Sequence, residues 1–466
     1  MKILLINPAT PKIVINKEYV APLSLLYLAS TLQENDIDVN VLDLNTYNLV
    51  DNVYENIIIR EINDFEPSLV GITCLFSGQF SQVLKLSKKI KRTFNDLPIV
   101  LGGIHPTMFP EEILSHVDSI DWIVLDEGER TLLQLVKMLE NKSYSFNEID
   151  GFAYRENGNV IINKKTSFIE DLDNLAIPAY NLINIEDYYL PTCKNWINHK
   201  NLSIKTTFPI LTSRSCPMRC TFCSMYLTMG PKHRKRSPQN VVDEIEYLYQ
   251  TYENQHFSFY DDNLTMDKAG IIKICHEIIK RNIDIHFETP NGVGLAFLDE
   301  EIIDALMKAG LTRTTLAIES GSNKIRKIMG KHFSNEKIFE IVNIMKKYKK
   351  LYVMAFFIIG MPEDTRETLD ETYNMIKAID VDFPHISNLL VLPHTKIFEQ
   401  CLRDDLFIEK FDVENYWKTC FYFKGNKRFF IKPYNLSVDE LHEYREKFDT
   451  LIVDNTKRDN SRCMSV

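Results

Sequence analysis

Over residues 1–140, short apolar runs alternate with stretches whose apolar positions recur at a helical period. Lys2–Asn7 is apolar and stops at Asn7-Pro8, Leu23–Leu32 has helical spacing, and Val39–Leu42 is a second apolar run ending at Asp43. Leu69–Thr73 reads as a third strand, Ser81–Phe94 as an amphipathic helix, Ile99–Leu101 as a fourth strand and Trp122–Leu125 as a fifth, after which Glu127-Gly128-Glu129 opens a helix. Short buried strands separated by amphipathic helices argue a doubly wound parallel sheet of the α/β class. Crossovers in such sheets are right-handed, and ligands bind beyond the carboxyl ends of the strands. The loops at those ends are Asn7–Thr10, Cys74–Gly78, Gly102–Thr107 and Glu127–Thr131.

The alternation breaks after residue 150. Gly151–Asn163 reads as a hairpin turning at Asn157-Gly158, and Leu172–Pro191 as an irregular linker packed between domains. It resumes from Phe208, with strands expected at Ile210–Ser213, His256–Tyr260, Ile285–Glu288, Thr314–Ile318, Tyr352–Ile358 and Ile386–Leu392, and helices such as Asn240–Tyr252 and Glu300–Ala309 between them. Six such units fit a partial (β/α)6 barrel of TIM type, whose chemistry sits at the C-terminal face of the strands. The expected division is 1–145, a Rossmann-like domain; 146–205, a connector; 206–400, the partial barrel; and 401–466, a C-terminal extension whose last residues, Asp454–Val466, are polar and expected to be disordered.

Charge and cysteine usage narrow the function. The formal net charge is −10, so the basic footprint of a nucleic-acid-binding protein is missing. The longest nearly apolar run, near Leu351–Met361, is too short to span a bilayer. MKILLINPAT has one Lys, then a strand-like run with no small-residue cleavage site, so the cytoplasm is expected rather than export. Of nine cysteines, six are scattered and three, Cys216, Cys220 and Cys223, are clustered, a pattern more often metal-binding or catalytic than disulfide-bonded in the cytosol.

The cluster lies in Ser213-Arg-Ser-Cys-Pro-Met-Arg-Cys-Thr-Phe-Cys-Ser224, a C-x-x-x-C-x-x-C spacing just after a predicted strand. Thiolates are soft ligands suited to iron–sulfur clusters or zinc. Three on one tight loop hold three irons of a [4Fe–4S] cube and leave the fourth open to a small molecule. Structural zinc would want a second pair of cysteines, and no other C-x-x-C exists. Arg234-Lys235-Arg236 reads as a solvated loop ahead of a helix, and Met225, Tyr226 and Met229 as ordinary packing rather than a substrate wall.

This motif, with Phe222 before its third cysteine, resembles the radical S-adenosylmethionine (SAM) superfamily signature. The resemblance implies that Cys216, Cys220 and Cys223 ligate a [4Fe–4S] cluster, that SAM chelates the open iron, and that its cleavage yields a 5′-deoxyadenosyl radical. Phe259-Tyr-Asp-Asp-Asn263, Ala317-Ile-Glu-Ser-Gly-Ser322 and Phe357-Ile-Ile-Gly-Met-Pro-Glu363 match strand ends that contact SAM in related enzymes, which nominates Glu319, Ser320, Asn291 and Asp262. The N-terminal domain resembles the cobalamin-binding domain of class B radical SAM methyltransferases, through Val41-Leu-Asp43, Gly71-Ile-Thr73, Leu101-Gly-Gly-Ile-His-Pro-Thr107, Asp126-Glu-Gly-Glu-Arg-Thr131 and the connector Asp171-Leu-Asp173. It nominates Gly102, Gly103, His105, Glu127, Gly128 and Glu129 for cobalamin. Three departures stand out. The D-x-H-x-x-G cobalt-ligand motif is missing, so cobalamin is expected without a protein histidine below cobalt; Asp126 and His394 stand where relatives often have glycine.

The resemblance implies methylation of an unactivated carbon of a small-molecule or natural-product substrate, with an electron donor such as flavodoxin or ferredoxin, no nucleic-acid partner and no membrane span. A cyclase or oxidative ring-forming enzyme, like the anaerobic porphyrin-ring cyclases, shares both domains and is the second reading. A non-catalytic cobalamin or redox sensor is the third, and the intact cysteine triad counts against it.

Overall fold

The computed structural model describes residues 1–9, 20–47, 51–142, 144–189, 204, 206–409, 412, 415–418 and 428–463; Thr10, Pro191, Cys193 and Cys420 lie outside them. The chain forms two compact units, one of Met1–Leu190 with Thr228–Gly230 and Asp412–Phe423, the other of Pro191–Leu227, Pro231–Phe411 and Lys424–Val466.

Unit one holds a seven-stranded sheet. Its strands are β1 (Lys2–Asn7), β2 (Asp38–Asp43), β3 (Leu69–Thr73), β4 (Ile99–Gly102), β5 (Trp122–Val124), β6 (Phe152–Glu156) and β7 (Asn159–Asn163) in the order β2-β1-β3-β4-β5-β6-β7. The first five run parallel, with Ile6 opposite Leu42 on one side and Ile72 on the other. Helices α1 (Leu23–Gln33), α2 (Asp51–Phe65), α3 (Phe80–Thr93), α4 (Ile104–Met108), α5 (Pro110–His116) and α6 (Glu129–Glu140) make the connections. Every residue of β3 is buried, as expected of a strand covered on both faces. β6 and β7 are antiparallel and turn at Asn157 and Gly158, both at positive φ (51° and 82°), the primed turn that Asn-Gly specifies. The segment read as an interdomain linker packs onto this sheet: Tyr188 donates to Asp43 (2.9 Å) and Ala179 N–H to Leu26 (3.1 Å).

Unit two holds six parallel strands, β8 (Phe208–Ile210), β11 (His256–Phe259), β12 (His286–Val293), β13 (Leu311–Glu319), β14 (Tyr352–Ile359) and β15 (Phe383–Asn388), in the order β15-β14-β13-β12-β11-β8, an open partial barrel. A two-residue pair, β9 (Ser213–Arg214) and β10 (Arg234–Lys235), brackets the cysteine loop and its one-turn helix α7 (Met225–Thr228). Helices α8 (Pro238–Tyr252), α9 (Lys268–Lys280), α10 (Glu300–Lys308), α11 (Asn323–Met329), α12 (Asn335–Met345), α13 (Arg366–Ala378), α14 (Lys396–Arg403) and α15 (Val438–Cys463) complete it. Along β14, Val353, Ala355, Phe357 and Ile359 are buried, while Tyr352, Met354, Phe356 and Ile358 are half-buried, the alternation of a sheet covered on one face and lining an open interior on the other.

Four expectations are corrected. The first barrel strand ends at Ile210 rather than Ser213, because Asp261 takes the Thr212 N–H (3.1 Å) and both the Thr212 and Ser213 hydroxyls, drawing the chain off the ladder. The last strand runs Phe383–Asn388 rather than Ile386–Leu392; it carries Pro384, which an edge strand tolerates because its outer side is unpaired. The tail read as disordered is helical to Cys463, and α15 anchors by Arg445, whose guanidinium donates to Ile386 O (2.8 Å) on the free edge of β15. Arg234 and Arg236, read as solvated, are buried: Arg236 meets Glu244 (2.5 Å) inside α8 and Leu211 O (2.9 Å). Removing one partner of such a pair costs roughly 3–5 kcal/mol, because it strands the other charge.

Both positions where relatives often have glycine are left-handed here, Asp126 at φ 58° and His394 at φ 59°. The backbone shape is kept at the cost of an L side chain in that region, about 1–2 kcal/mol and least for Asp. Among the described residues no helix is long and apolar enough to cross a membrane.

Candidate functional site

In unit two the cysteine loop leaves β8 on a rigid base. Asp261, 2% exposed, accepts from Thr212 and Ser213 at the loop's start. Ser215 (φ 72°) and Arg219 (φ 48°) make left-handed bends within it. Its far end is tied by the Thr221 N–H to Met329 O (3.1 Å) and the Thr221 hydroxyl to Ile328 O (3.3 Å), both at the end of α11, and by the Ile397 N–H to Thr221 O (3.1 Å). Gly330 then approaches Cys220 closely: at φ 83°, a Cβ there would sit 3.5 Å from the Cys220 Cα. The loop is therefore held by contacts that use none of its thiols.

Asn263 Nδ2 lies 3.9 Å from the Cys216 sulfur. Burial pushes the Cys223 thiol up to about 11 and also raises Cys220, whose proton the nearby Lys331 helps to remove. Ligation replaces these protons with metal. Three cysteine thiolates on one loop, with no fourth cysteine beside them in the sequence, are by their chemistry the donor set of a [4Fe–4S] cluster with one corner left without a protein ligand.

The predicted SAM residues divide. Glu319 ends β13 at φ 69°, 6% exposed, after a register shift past Ala317; its carboxylate meets Lys331 at 3.3 Å. A buried non-glycine residue in that conformation is the kind of strain functional sites store. Glu319 and Lys331 both act electrostatically on Cys220, and Asp262 acts on Cys223. Burial, with Asp261 beside it, pushes the Asp262 carboxyl up to about 6. Asn291 is exposed and donates to Tyr260 O (2.8 Å). Ser320 turns instead into the fold, bonding Thr372 (3.2 Å) and the Ser322 N–H (3.1 Å). Sequence reasoning missed Lys331, Asp261 and Asp364; the last accepts from the Gly360 and Met361 N–H groups (2.9 Å each) and so sets the Gly-Met-Pro-Glu loop after β14.

In unit one the carboxyl ends of β3, β4 and β5 form the second site. Gly103 lies at φ 108°, where a Cβ would strike Cys74 O at 2.6 Å, so its place against the β3 loop is open to glycine alone. Gly102 is different: among the described residues a Cβ there would meet only Val124 O, at 3.8 Å. Leu75 and Phe76 stand beside this loop pair 36% and 52% exposed. Bare backbone flanked by exposed apolar side chains suits a large flat ligand such as a corrin.

The remaining predicted residues lie deeper. Glu127 and Glu129 are buried, and Glu127 accepts the Ile169 N–H (3.0 Å), holding the connector. Gly128 packs against Leu28, whose Cδ2 would lie 3.1 Å from a Cβ. Burial pushes the Asp126 carboxyl up to about 7, and its N–H donates to Thr107 (2.9 Å). His105 is 1% exposed, its ring 4.5 Å from Phe80 and 5.2 Å from Phe109, with Nδ1 on the Ser77 hydroxyl (2.9 Å). Burial pulls its pKa down to about 3. A histidine depressed in the folded state stabilises it above pH 6.5, and that contribution is lost as pH falls toward the folded value. Between pH 7 and pH 5 His105 therefore takes about 2 kcal/mol from unit one, while the raised Asp126 carboxyl, which gains a proton in the folded state over the same range, contributes with the opposite sign. Urea melts followed by tryptophan fluorescence check this: between pH 7 and pH 5 His105→Gln should gain about 2 kcal/mol relative to wild type, and a difference that does not change with pH would remove His105 from the titration.

Comparison with known proteins gives matches over both sites. Residues 210–376 match the radical SAM superfamily and residues 16–136 the B12 binding domain. The chain is 30% identical over 414 residues to an uncharacterised methyltransferase of Pyrococcus horikoshii, covering 88% of this chain and 84% of that protein. It is 29% identical over 402 residues to the anaerobic magnesium-protoporphyrin IX monomethyl ester cyclase of Rubrivivax gelatinosus, covering 85% of this chain and 68% of that one. It is 29% identical over 397 residues to the cytidylyl-2-hydroxyethylphosphonate methyltransferase of Streptomyces wedmorensis, covering 78% and 73%. The radical SAM methyltransferase TsrM of Kitasatospora setae, solved with cobalamin and a [4Fe–4S] cluster, shares the fold over 96% of this chain and 81% of its own, with a TM-score of 0.71 at 18% identity.

Proposed function

This chain belongs to the cobalamin-binding radical SAM enzymes, and from that premise we propose that it methylates an unactivated carbon of a small-molecule substrate. One observation carries the proposal: a tethered three-cysteine loop on the barrel and a glycine-paired sheet edge occur in one chain that matches a methyltransferase along most of both lengths. When bound, the cluster and SAM supply a hydrogen-abstracting radical and cobalamin supplies the methyl group.

The chain's own residues prepare the site. Cys216, Cys220 and Cys223 would hold the cluster, and Asp261 fixes the loop that carries them. Lys331, paired with Glu319, keeps positive charge beside the loop. Gly102 leaves its backbone open to a corrin among the described residues, and Gly103 lets the β4 loop close onto Cys74. Met354, Phe356 and Ile358 on the inner face of β14, with Ala317 and Gly292, offer an apolar wall. Gly292 keeps that wall low: a Cβ there would meet both Ala317 and Phe356 at 3.5 Å. An apolar wall shields a radical from water. An external one-electron donor such as flavodoxin or ferredoxin belongs to the same proposal.

Turnover should consume two SAM molecules per product, one leaving as S-adenosylhomocysteine and the other as 5′-deoxyadenosine with methionine. Quantifying both by liquid chromatography tests this; 5′-deoxyadenosine without matching S-adenosylhomocysteine would favour ring formation. That second reading is supported by the 29% identity to the Rubrivivax gelatinosus cyclase.

A further inference from the structure

We propose that Trp417 is a positioning residue for cobalamin: a segment from the far end of the chain sets the two loops that receive the corrin. The described part of this segment, residues 415–418, belongs to unit one although it follows the whole barrel in sequence. Trp417 is 2% exposed, its ring edge-on to Phe80 at 5.8 Å and 5.4 Å from His116. Tyr416 meets Phe109 edge-on at 5.9 Å.

The residues under this wedge are the roots of the corrin loops. Ser77 and Phe80 follow β3; His105 and Phe109 follow β4. The loops are cross-bonded, Cys74 N–H to Gly102 O (2.7 Å) and His105 N–H to Cys74 O (3.2 Å), with His105 Nδ1 on Ser77. The His105 ring touches Phe80 and Phe109, and the Trp417 backbone is the polar neighbour of that ring. Trp417 thus touches α3 through Phe80, α5 through His116 and the His105 ring of α4 through its backbone, joining the three helices into one block. A loop already held in its binding shape spends less binding free energy on ordering. Without the wedge, the loops open locally and the corrin meets a disordered edge.

The test uses full-length protein titrated anaerobically with hydroxocobalamin and followed by absorbance. Trp417→Ala should weaken corrinoid binding at least about tenfold and speed its release, while iron content after cluster reconstitution stays at the wild-type level. Trp417→Phe, which keeps an aromatic edge toward Phe80, should lose no more than about threefold. His116 is exposed, so His116→Ala leaves the core intact and should weaken binding about threefold by removing one wall of the wedge. Amide exchange should quicken at Cys74–Phe80 and Gly102–Phe109 in both alanine variants. Packing alone would move exchange and not affinity, so wild-type corrinoid affinity in W417A overturns the proposal. Should W417A fail to fold, wild-type affinity in H116A overturns it. The inference rests on cobalamin binding by unit one: a wild-type chain that takes up no corrinoid overturns that reading and this one together, whereas wild-type uptake matched by W417A overturns this one alone.

Discussion

Cys220→Ala should abolish SAM cleavage and leave the barrel folded. The loop around Cys220 is held by backbone and by neighbours, through Asp261 at one end and Met329, Ile328 and Ile397 at the other, none of which uses the thiol. What the substitution removes is one of three soft ligands to a cube that has no fourth protein thiolate to recruit. Cys275, the nearest later cysteine in sequence, is buried within α9. Production of 5′-deoxyadenosine should fall to background, at least about a thousandfold, since the chemistry is the cofactor's and not the protein's. Cys216→Ala and Cys223→Ala should behave alike. Circular dichroism with an iron assay separates the outcomes: a folded chain without cluster agrees, whereas a folded variant that keeps a full cluster and cleaves SAM would remove Cys220 from the ligand set.

Gly103→Ala should have the next largest effect, on cobalamin alone. The added methyl group would sit 2.6 Å from Cys74 O and 2.8 Å from Cys74 C, backbone atoms that cannot swing aside as a side chain would. The φ of 108° is itself outside the range of L-alanine. Strain of this kind costs about 1–3 kcal/mol before the clash is counted. It is relieved by pushing the β3 and β4 loops apart, which undoes the surface that receives the corrin. Corrinoid affinity should drop at least about tenfold with the [4Fe–4S] content unchanged. Gly102→Ala is the internal control, because among the described residues its methyl group meets nothing closer than 3.8 Å; a loss of binding there reports contact with the ligand itself.

The architecture was legible in sequence because buried parallel strands are apolar end to end, and because Asn157-Gly158 and Gly102-Gly103 need backbone angles few other residues adopt. The cysteine spacing carried the cluster loop. Other features had no local signal. Helix α2 contains the run Ile57-Ile58-Ile59, which suits a strand as well as a helix, and only its length settles the matter. Asp261 and Asp262 are adjacent and identical; which one turns inward to fix the loop depends on Thr212 and Ser213, brought in by β8. Lys331 reads as one more surface lysine until Glu319 is seen 3.3 Å away. Arg236 looks solvated until Glu244 arrives on α8. Trp417 pairs with Phe80 across the whole barrel sequence, a contact no periodicity encodes.

Methyl transfer as proposed needs both the cluster and the cobalamin site of this chain. Its most direct test supplies SAM bearing a deuterated methyl group to the reconstituted enzyme with reductant and substrate, for enough turnovers to exhaust any methyl group first carried by the corrinoid. The product should be heavier by a trideuterated methyl group, measured by mass spectrometry, with S-adenosylhomocysteine and 5′-deoxyadenosine formed in equal amounts. A product that gains a ring or an oxygen and no label would contradict it.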